Sequence, residues 1–364
     1  MYYDYGAYTL DITGPLMICT QKVTSLAFSA YDGVFRVRKK ERLSDDQRLM
    51  AINKLPSFLE FFSYIFSFHG ILLGPMCFYR DYAVFVEGKQ YTQKTESSDV
   101  IKIEKEPSPN RVVVKNVILA FTCIGITMSL ASWYPKTLMV DENFVINHNF
   151  VYRTLICILV VFLARSKYYF GWKLGEATNN AAGLGFNGYD EKNNAKWNLI
   201  ENVNIPAIEF ATSFRDIINN WNIQTAIWLR RICYDRLKGV YRTYATYTLS
   251  AIWHGFYPGY YFTFLGGALT TNAARTLRRI IRPLMLSPPW LKKSYDVVTW
   301  FFSHLALAYF IVPFTLLDMK RVYYFYTYNQ YWWMHLVVIG ILLLPFVWKP
   351  KIEAKSEKVK KHND

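Results

Sequence analysis

Apolar runs alternate with short charged connectors along this chain. Several runs approach the ~20 residues that a helix needs to cross a bilayer. The clearest are residues 112–133, 150–163, 244–269, 297–317 and 331–348, and residues 58–79 qualify with interruptions at Gly70 and Gly74-Pro75. The opening run, 12–28, is shorter and more polar, and it reads as a partly buried or tilted helix. The run 150–163 is short alone but continues with aromatic interface character through Lys167-Tyr168-Tyr169-Phe170-Gly171-Trp172. Residues 171–235 are lower in hydropathy, which predicts re-entrant or amphipathic helices packed inside a bundle. Three connectors read as polar: 36–48, strongly basic with an acidic patch; 87–111, a solvated loop; and the Asn-rich 187–204. The predicted fold is all-α: a polytopic transmembrane helix bundle with re-entrant or broken helices around an intramembrane chamber. Residues 1–348 form the core. Residues 349–364 form a disordered basic tail, placed in the cytosol because its lysines directly follow the last span.

Composition agrees with a bilayer. Of the 364 residues 52% are hydrophobic and 18% aromatic, with 28 Tyr, 26 Phe and 11 Trp, rings suited to the membrane interface. The net charge of +15 fits either nucleic-acid binding or basic cytosolic loops with a polyanionic ligand such as a CoA thioester. No nucleic-acid motif accompanies it, so the second reading is preferred. The five cysteines are scattered without C-x-x-C spacing, which argues against a disulfide scaffold or a zinc site. There is no N-x-[ST] acceptor, and no basic region precedes an apolar start as in a signal peptide.

Chemistry concentrates in two places. From 243 to 274 there is no Asp, Glu, Lys or Arg, and His254 is the one imidazole. A straight helix of that length would reach roughly 48 Å, against a hydrocarbon core of about 30 Å. The run must therefore bend, tilt or break, and Gly255, Pro258 and Gly259 supply the break. His254 lies roughly 18 Å along it, near the midplane, where an ionisable group is a functional hypothesis by default. The alternative is a buried neutral imidazole bonded to a helix carbonyl. His69, in a second apolar run beside a Gly-Pro, competes on position, and His304 and His335 also lie in or near spans.

The second place is Asn219-Asn220-Trp221-Asn222-Ile223-Gln224-Thr225. Trp221, Thr225, Trp228, Leu229 and Ile232 share one helical face. Asn222 then reads either as a helix cap or as an amide that orients a substrate or an imidazole. One decoy is set aside: Gly183-Leu184-Gly185-Phe186-Asn187-Gly188 fits G-x-G-x-x-G, but the preceding residues look helical, whereas a dinucleotide site needs a strand there. Nucleophile-elbow, zinc-protease, phosphate-loop and Asp-His-His-Cys signatures are absent.

Taken together, Trp221-Asn222-Ile223-Gln224-Thr225 and Ser250-Ala251-Ile252-Trp253-His254-Gly255-Phe256-Tyr257-Pro258-Gly259-Tyr260-Tyr261 resemble the two catalytic motifs of membrane-bound O-acyltransferases. Lys167-Tyr168-Tyr169-Phe170, Asn179-Asn180-Ala181-Ala182-Gly183-Leu184-Gly185-Phe186 and Asp11-Ile12-Thr13-Gly14-Pro15-Leu16-Met17 are similar to further motifs of the lysophospholipid branch. The resemblance covers nearly the whole chain except the tail. It implies a catalytic chamber within the membrane, with His254 as the catalytic histidine and Asn222 as its partner. It also implies substrate contacts by Trp221, Trp253, Tyr260, Tyr261, Lys167, Tyr168, Tyr169, Asn179 and Asn180. No metal and no bound cofactor are expected; acyl-CoA is the co-substrate. The acceptor is lysophosphatidylethanolamine, lysophosphatidylserine or lysophosphatidylcholine.

The resemblance implies residence in the endoplasmic reticulum membrane; the tail adds little, because Lys360-Lys361 is one residue out of register for a dilysine retrieval signal. Arg165, Lys167, Lys173, Arg215, Arg230 and Arg231 are candidates for the CoA phosphates, with interfacial snorkelling as the alternative for each. The alternatives for function are a protein or sterol acceptor within the same family, a catalytically weak truncated isoform, or a channel or transporter. Family members carry spans before the Gly14-Pro15 segment, so an N-terminally shortened core is a further expectation.

Overall fold

The computed structural model describes residues 12–72, 74–94, 100–102, 106–239 and 241–347. The elements in chain order are α1 (Thr13–Ala30), α2 (Asp45–Met50), α3 (Phe58–Ile65), α4 (Tyr79–Val86), β1 (Thr92–Lys94), β2 (Val100–Lys102), α5 (Asn110–Leu130), α6 (Glu142–Asn147), α7 (Phe150–Ala181), α8 (Ile205–Glu209), α9 (Phe214–Asn220), α10 (Ile223–Ile232), α11 (Tyr241–His254), α12 (Pro258–Ile281), α13 (Pro289–Leu316), α14 (Met319–Tyr328) and α15 (Trp333–Val347). The basic tail and residues 1–11, which carry the start of the Gly14-Pro15 motif, lie outside the described residues. Packing divides the chain into two units: Met1–Tyr134 with Phe162–Glu209 and Ile218–Gly255, and Pro135–Val161 with Phe210–Ile217 and Phe256–Asp364.

In the first unit α1 is the hub. Its moderately polar sequence is used inward, with Gln21, Lys22 and Ser25 all buried. The Lys22 ammonium donates to the carbonyls of Tyr64 and Ile65 and to Ser67 Oγ, at 2.9, 3.2 and 2.8 Å. Those carbonyls belong to the last turn of α3, where a helix runs out of i+4 donors; the Ser67 N–H also reaches the Tyr64 carbonyl, at 3.4 Å. This corrects the expected span over 58–79. Its helix is eight residues long, roughly 12 Å, opened by the Ser57/Glu60 capping box and closed at Phe66. Gly70, and Gly74 at φ +79°, then carry irregular backbone to α4. Gly70 is required there, because a Cβ would stand 2.7 Å from the Pro75 carbonyl oxygen.

A second correction concerns 87–111. The expected solvated loop includes the β1–β2 pair, antiparallel with Thr92 opposite Lys102. α5 matches the expected span at 112–133 closely. It is long and apolar enough to cross a bilayer, and it exposes Val114, Ile118 and Phe121 while turning Asn116 inward.

In the second unit α13 packs along α12 and α14, and α15 also packs on α12. Small residues allow the close approach: a Cβ on Gly259 would lie 2.2 Å from the Pro313 carbonyl oxygen, and one on Gly266 2.2 Å from Phe310 Cδ1. α13 covers the expected span at 297–317 except its last residue and, among the described residues, is the second helix long and apolar enough to cross. The expected span at 331–348 is corrected. α15 has 15 residues, roughly 22 Å, and reaches spanning length and composition only with α14, across a bend of 86°.

Candidate active site

The two residues singled out by sequence lie in the same unit, on α10 and α11, and both helices are tied to α1. Gln21 Nε2 donates to Thr225 Oγ1 at 2.8 Å, and Trp228 Nε1 donates to Thr24 Oγ1 at 2.9 Å. Trp253 Nε1 donates to the Met17 carbonyl at 3.1 Å. Trp228 and Trp253 then pack ring to ring across α10 and α11, 5.7 Å between centroids. His254 is the last residue of α11, edge-on to the Trp253 ring at 4.7 Å. The helix stops at Gly255, whose φ of +124° suits glycine, and α12 starts at Pro258. The break therefore falls at the Gly-Pro cluster that follows the histidine.

Asn222 occupies the N-cap position of α10, yet its side chain makes no capping hydrogen bond. Its backbone is left-handed, φ 47° and ψ 54°, a conformation that asparagine tolerates better than most residues. The cap comes from elsewhere. The Asn202 carbonyl accepts from the Ile223 N–H at 2.8 Å, and Asn202 Oδ1 accepts from the Gln224 N–H at 3.1 Å. Gln224 Nε2 returns two bonds to the same strand of backbone, to the Leu199 and Glu201 carbonyls, each at 3.0 Å. The capping alternative for Asn222 therefore lacks its hydrogen bond.

Trp221, one residue earlier, sits among Tyr168, Tyr169 and Trp172 of α7, with ring centroids 5.9, 5.8 and 4.8 Å away. Tyr169 is buried and bonds Glu209, while Lys167 and Tyr168 are exposed. Asn179 and Asn180 are buried. Asn179 donates to the Gly175 and His69 carbonyls at 2.7 and 3.2 Å, and the Asn180 amide crowds Gly185 so closely that a Cβ there would clash. In this arrangement Asn179 ties α7 to the backbone at His69. Tyr260 and Tyr261 are half-buried on the first turn of α12, in the second unit.

The cationic candidates separate clearly. Arg165 forms a two-pronged bond to Glu209 at 2.9 and 3.0 Å, Lys173 meets Glu176 at 2.6 Å, and Arg231 clasps Asp46 at 2.7 and 2.8 Å. Burial resists ionisation of Asp46, but the bonds and charge of Arg231, with Arg230 behind it, hold its carboxyl below the usual range. Arg230 is half-exposed beside Asp235, and Arg215 is exposed. The G-x-G-x-x-G decoy follows the helix α7, not a strand.

The family model for membrane-bound O-acyltransferases matches residues 1–316. The chain belongs to that family. It is 44% identical over 346 residues to membrane-bound glycerophospholipid O-acyltransferase 2 of Homo sapiens, covering 94% of this chain and 66% of the relative. It is 41% identical over 345 residues to the human membrane-bound glycerophospholipid O-acyltransferase 1, covering 94% and 69%. A lysophospholipid acyltransferase of Schizosaccharomyces pombe is 31% identical over 332 residues, covering 88% and 64%. The chain thus spans about two thirds of the length of the curated relatives it matches. The residues matched to the O-acyltransferase family include both His254 and Asn222.

Sequence reasoning missed the acidic and amide groups that hold these motifs: Glu176, Asn202 and Glu209. Glu176 was visible as the i+3 carboxylate of Lys173 on a helix, a common pairing. Nothing local marked Asn202, which lies in an Asn-rich stretch where all the asparagines look alike.

Proposed function

We propose that this O-acyltransferase chain moves a fatty acyl group from acyl-CoA to the free hydroxyl of a lysophospholipid. The observation that carries the reading is the pairing of motifs in one unit. Asn222 keeps its amide out of the α10 cap, and His254 ends α11, which α1 ties to α10. The names of the relatives supply the acceptor class: glycerophospholipid and lysophospholipid acyltransferases at 31–44% identity.

In this reading the His254 imidazole takes the proton from the lysolipid hydroxyl as its oxygen attacks the thioester carbonyl carbon. The Asn222 amide N–H donates to the oxyanion that develops on that carbonyl. The C–S bond then breaks, the CoA sulfur leaves with the proton returned by the imidazolium, and the diacyl phospholipid remains in the bilayer. The lysolipid enters from the membrane and acyl-CoA from the cytosol. The proposed residence is the endoplasmic reticulum membrane. The test is an acyl-CoA assay on membranes carrying the protein, against lysophosphatidylethanolamine, lysophosphatidylserine, lysophosphatidylcholine, cholesterol, diacylglycerol and a serine peptide. Transfer to at least one lysophospholipid, well above the last three acceptors, is expected. A clear preference for cholesterol, diacylglycerol or the peptide would overturn it.

A further inference from the structure

The unusual cap of α10 has a buried foundation. Glu176, 3% exposed, projects from α7 and accepts four hydrogen bonds. Its Oε1 takes the backbone N–H groups of Asn202 and Val203 at 2.8 and 3.1 Å. Its Oε2 takes Lys173 Nζ at 2.6 Å and Asn116 Nδ2 at 3.4 Å. A carboxylate this deep is retained only when paired and bonded on both oxygens, and here the pairing fixes the backbone of Asn202. Asn202, 2% exposed, then offers its carbonyl and its Oδ1 to the first two N–H groups of α10.

The second of those groups decides the matter. An N-cap side chain ordinarily accepts from the N–H two or three residues on. For Asn222 the nearer one is the N–H of Gln224, and Asn202 Oδ1 already holds it at 3.1 Å. A usual N-cap also has extended backbone, whereas Asn222 is left-handed. Asn202 therefore does the work that would otherwise draw the Asn222 amide back onto its own helix.

We infer that Asn202, anchored by Glu176, is a positioning residue that keeps the Asn222 amide available for the acyl-transfer step. This inference rests on the reading of Asn222 given under the proposed function. Removing Oδ1 offers the Gln224 N–H to the Asn222 side-chain oxygen, so the amide turns back onto its helix and its N–H is carried away from the position the reaction needs. The signature is a turnover defect that stability does not explain.

The experiment compares Asn202→Ala, Asn202→Asp, Asn222→Ala and the Asn202→Ala/Asn222→Ala pair in membranes at matched protein level. Palmitoyl-CoA and lysophosphatidylethanolamine serve as substrates. Asn202→Ala should lower kcat by about 10-fold or more, less than the roughly 100-fold or more expected for losing the donor itself because Asn202 acts through Asn222, with both KM values changed less than about 2-fold. Asn202→Asp, which keeps an acceptor for the Gln224 N–H, should recover most of the turnover. The double variant should be no slower than Asn222→Ala, because both act through one group. Should Asn202→Ala give no monodisperse protein, Asn202→Ser, whose shorter side chain loosens the same bond, is read in its place by the same criteria. Wild-type kcat in Asn202→Ala, or losses that add in the double variant, would overturn the positioning role alone. Wild-type turnover in Asn222→Ala would overturn the site reading and this inference together.

Discussion

Gly175 offers a test of the geometry that needs no substrate. It lies on α7, one residue before Glu176, and packs against the 74–75 turn. A Cβ at this position would stand 2.4 Å from the Gly74 carbonyl oxygen and 3.0 Å from Pro75 Cδ. Both are backbone or ring atoms, so no rotamer relieves the clash, and ordinary contact needs a displacement on the order of 1 Å. Overpacking of this kind costs about 1–3 kcal/mol. Replacing a helical glycine by alanine returns about 0.5–1 kcal/mol of backbone entropy. With a clash against two rigid groups the upper half of the overpacking range applies, about 2–3 kcal/mol, so the net loss is about 1–2.5 kcal/mol. At about 2–4 °C per kcal/mol for a unit of this size, Gly175→Ala should melt roughly 2–10 °C lower. The assay is thermal unfolding of the detergent-solubilised protein followed by size-exclusion chromatography. Gly125→Ala on α5 is the control, because a Cβ there meets nothing within 4 Å. It should melt at or slightly above the wild-type temperature. If Gly175→Ala and Gly125→Ala melted alike, the close approach of α7 to the turn would be refuted.

Two further outcomes follow from the site and from its surroundings. His254→Ala should lower acyl transfer by about 100-fold or more, the lower range for a lost general base, with membrane insertion unchanged; loss in His69→Ala with near-normal turnover in His254→Ala would reverse the assignment. Asp46→Asn should lower the melting temperature at pH 7, because it removes the carboxylate charge and one of the two oxygens that hold the Arg231 guanidinium at 2.7 and 2.8 Å. The folded pKa of Asp46 is depressed, so its contribution is present above the unfolded pKa of about 3.9 and is lost as pH falls through the folded value. The difference in melting temperature should shrink below about pH 4. A difference that stays constant through that range would contradict the ion-pair account.

What was legible in the sequence was what depends on local pattern. The uncharged stretch around His254 with Gly255 and Pro258 marked both the histidine and the end of its helix, because glycine and proline act on the backbone where they stand. The apolar run of α5 was equally plain, since a lipid-facing helix must be apolar almost all round. Two of the limits are alike. Residues 58–79 are as apolar as a span, but the helix ends after Ile65, and Lys22, some 40 residues away in sequence, bonds its last carbonyls. Hydropathy records what a segment can be buried in, not which distant donor terminates it. Asn222 shows the same limit from the other side. Its residue type and position fit a cap, and only the reach of Asn202 across 22 residues shows that the cap is supplied otherwise.

Charge follows this logic too. The surplus of +15 suggested a polyanionic ligand, and six cations were candidates to meet it. Three of the six, Arg165, Lys173 and Arg231, are each held by a carboxylate, at 2.6–2.9 Å for the shorter contact. Turning Lys173 toward a phosphate would take the charge partner from buried Glu176, and turning Arg165 or Arg231 would break the short bonds to Glu209 or Asp46. These cations are therefore part of the scaffold, while Arg38, Lys39, Lys40 and Arg42 are exposed. Around Asn222 the groups nearest the proposed site are instead neutral dipoles: an amide, backbone N–H groups and carbonyls, with the backbone of Asn202 fixed by the buried Glu176 and its partner Lys173. A neutral, pre-oriented donor suits an oxyanion that exists only during the reaction, because it need not be neutralised before substrate arrives or after product leaves.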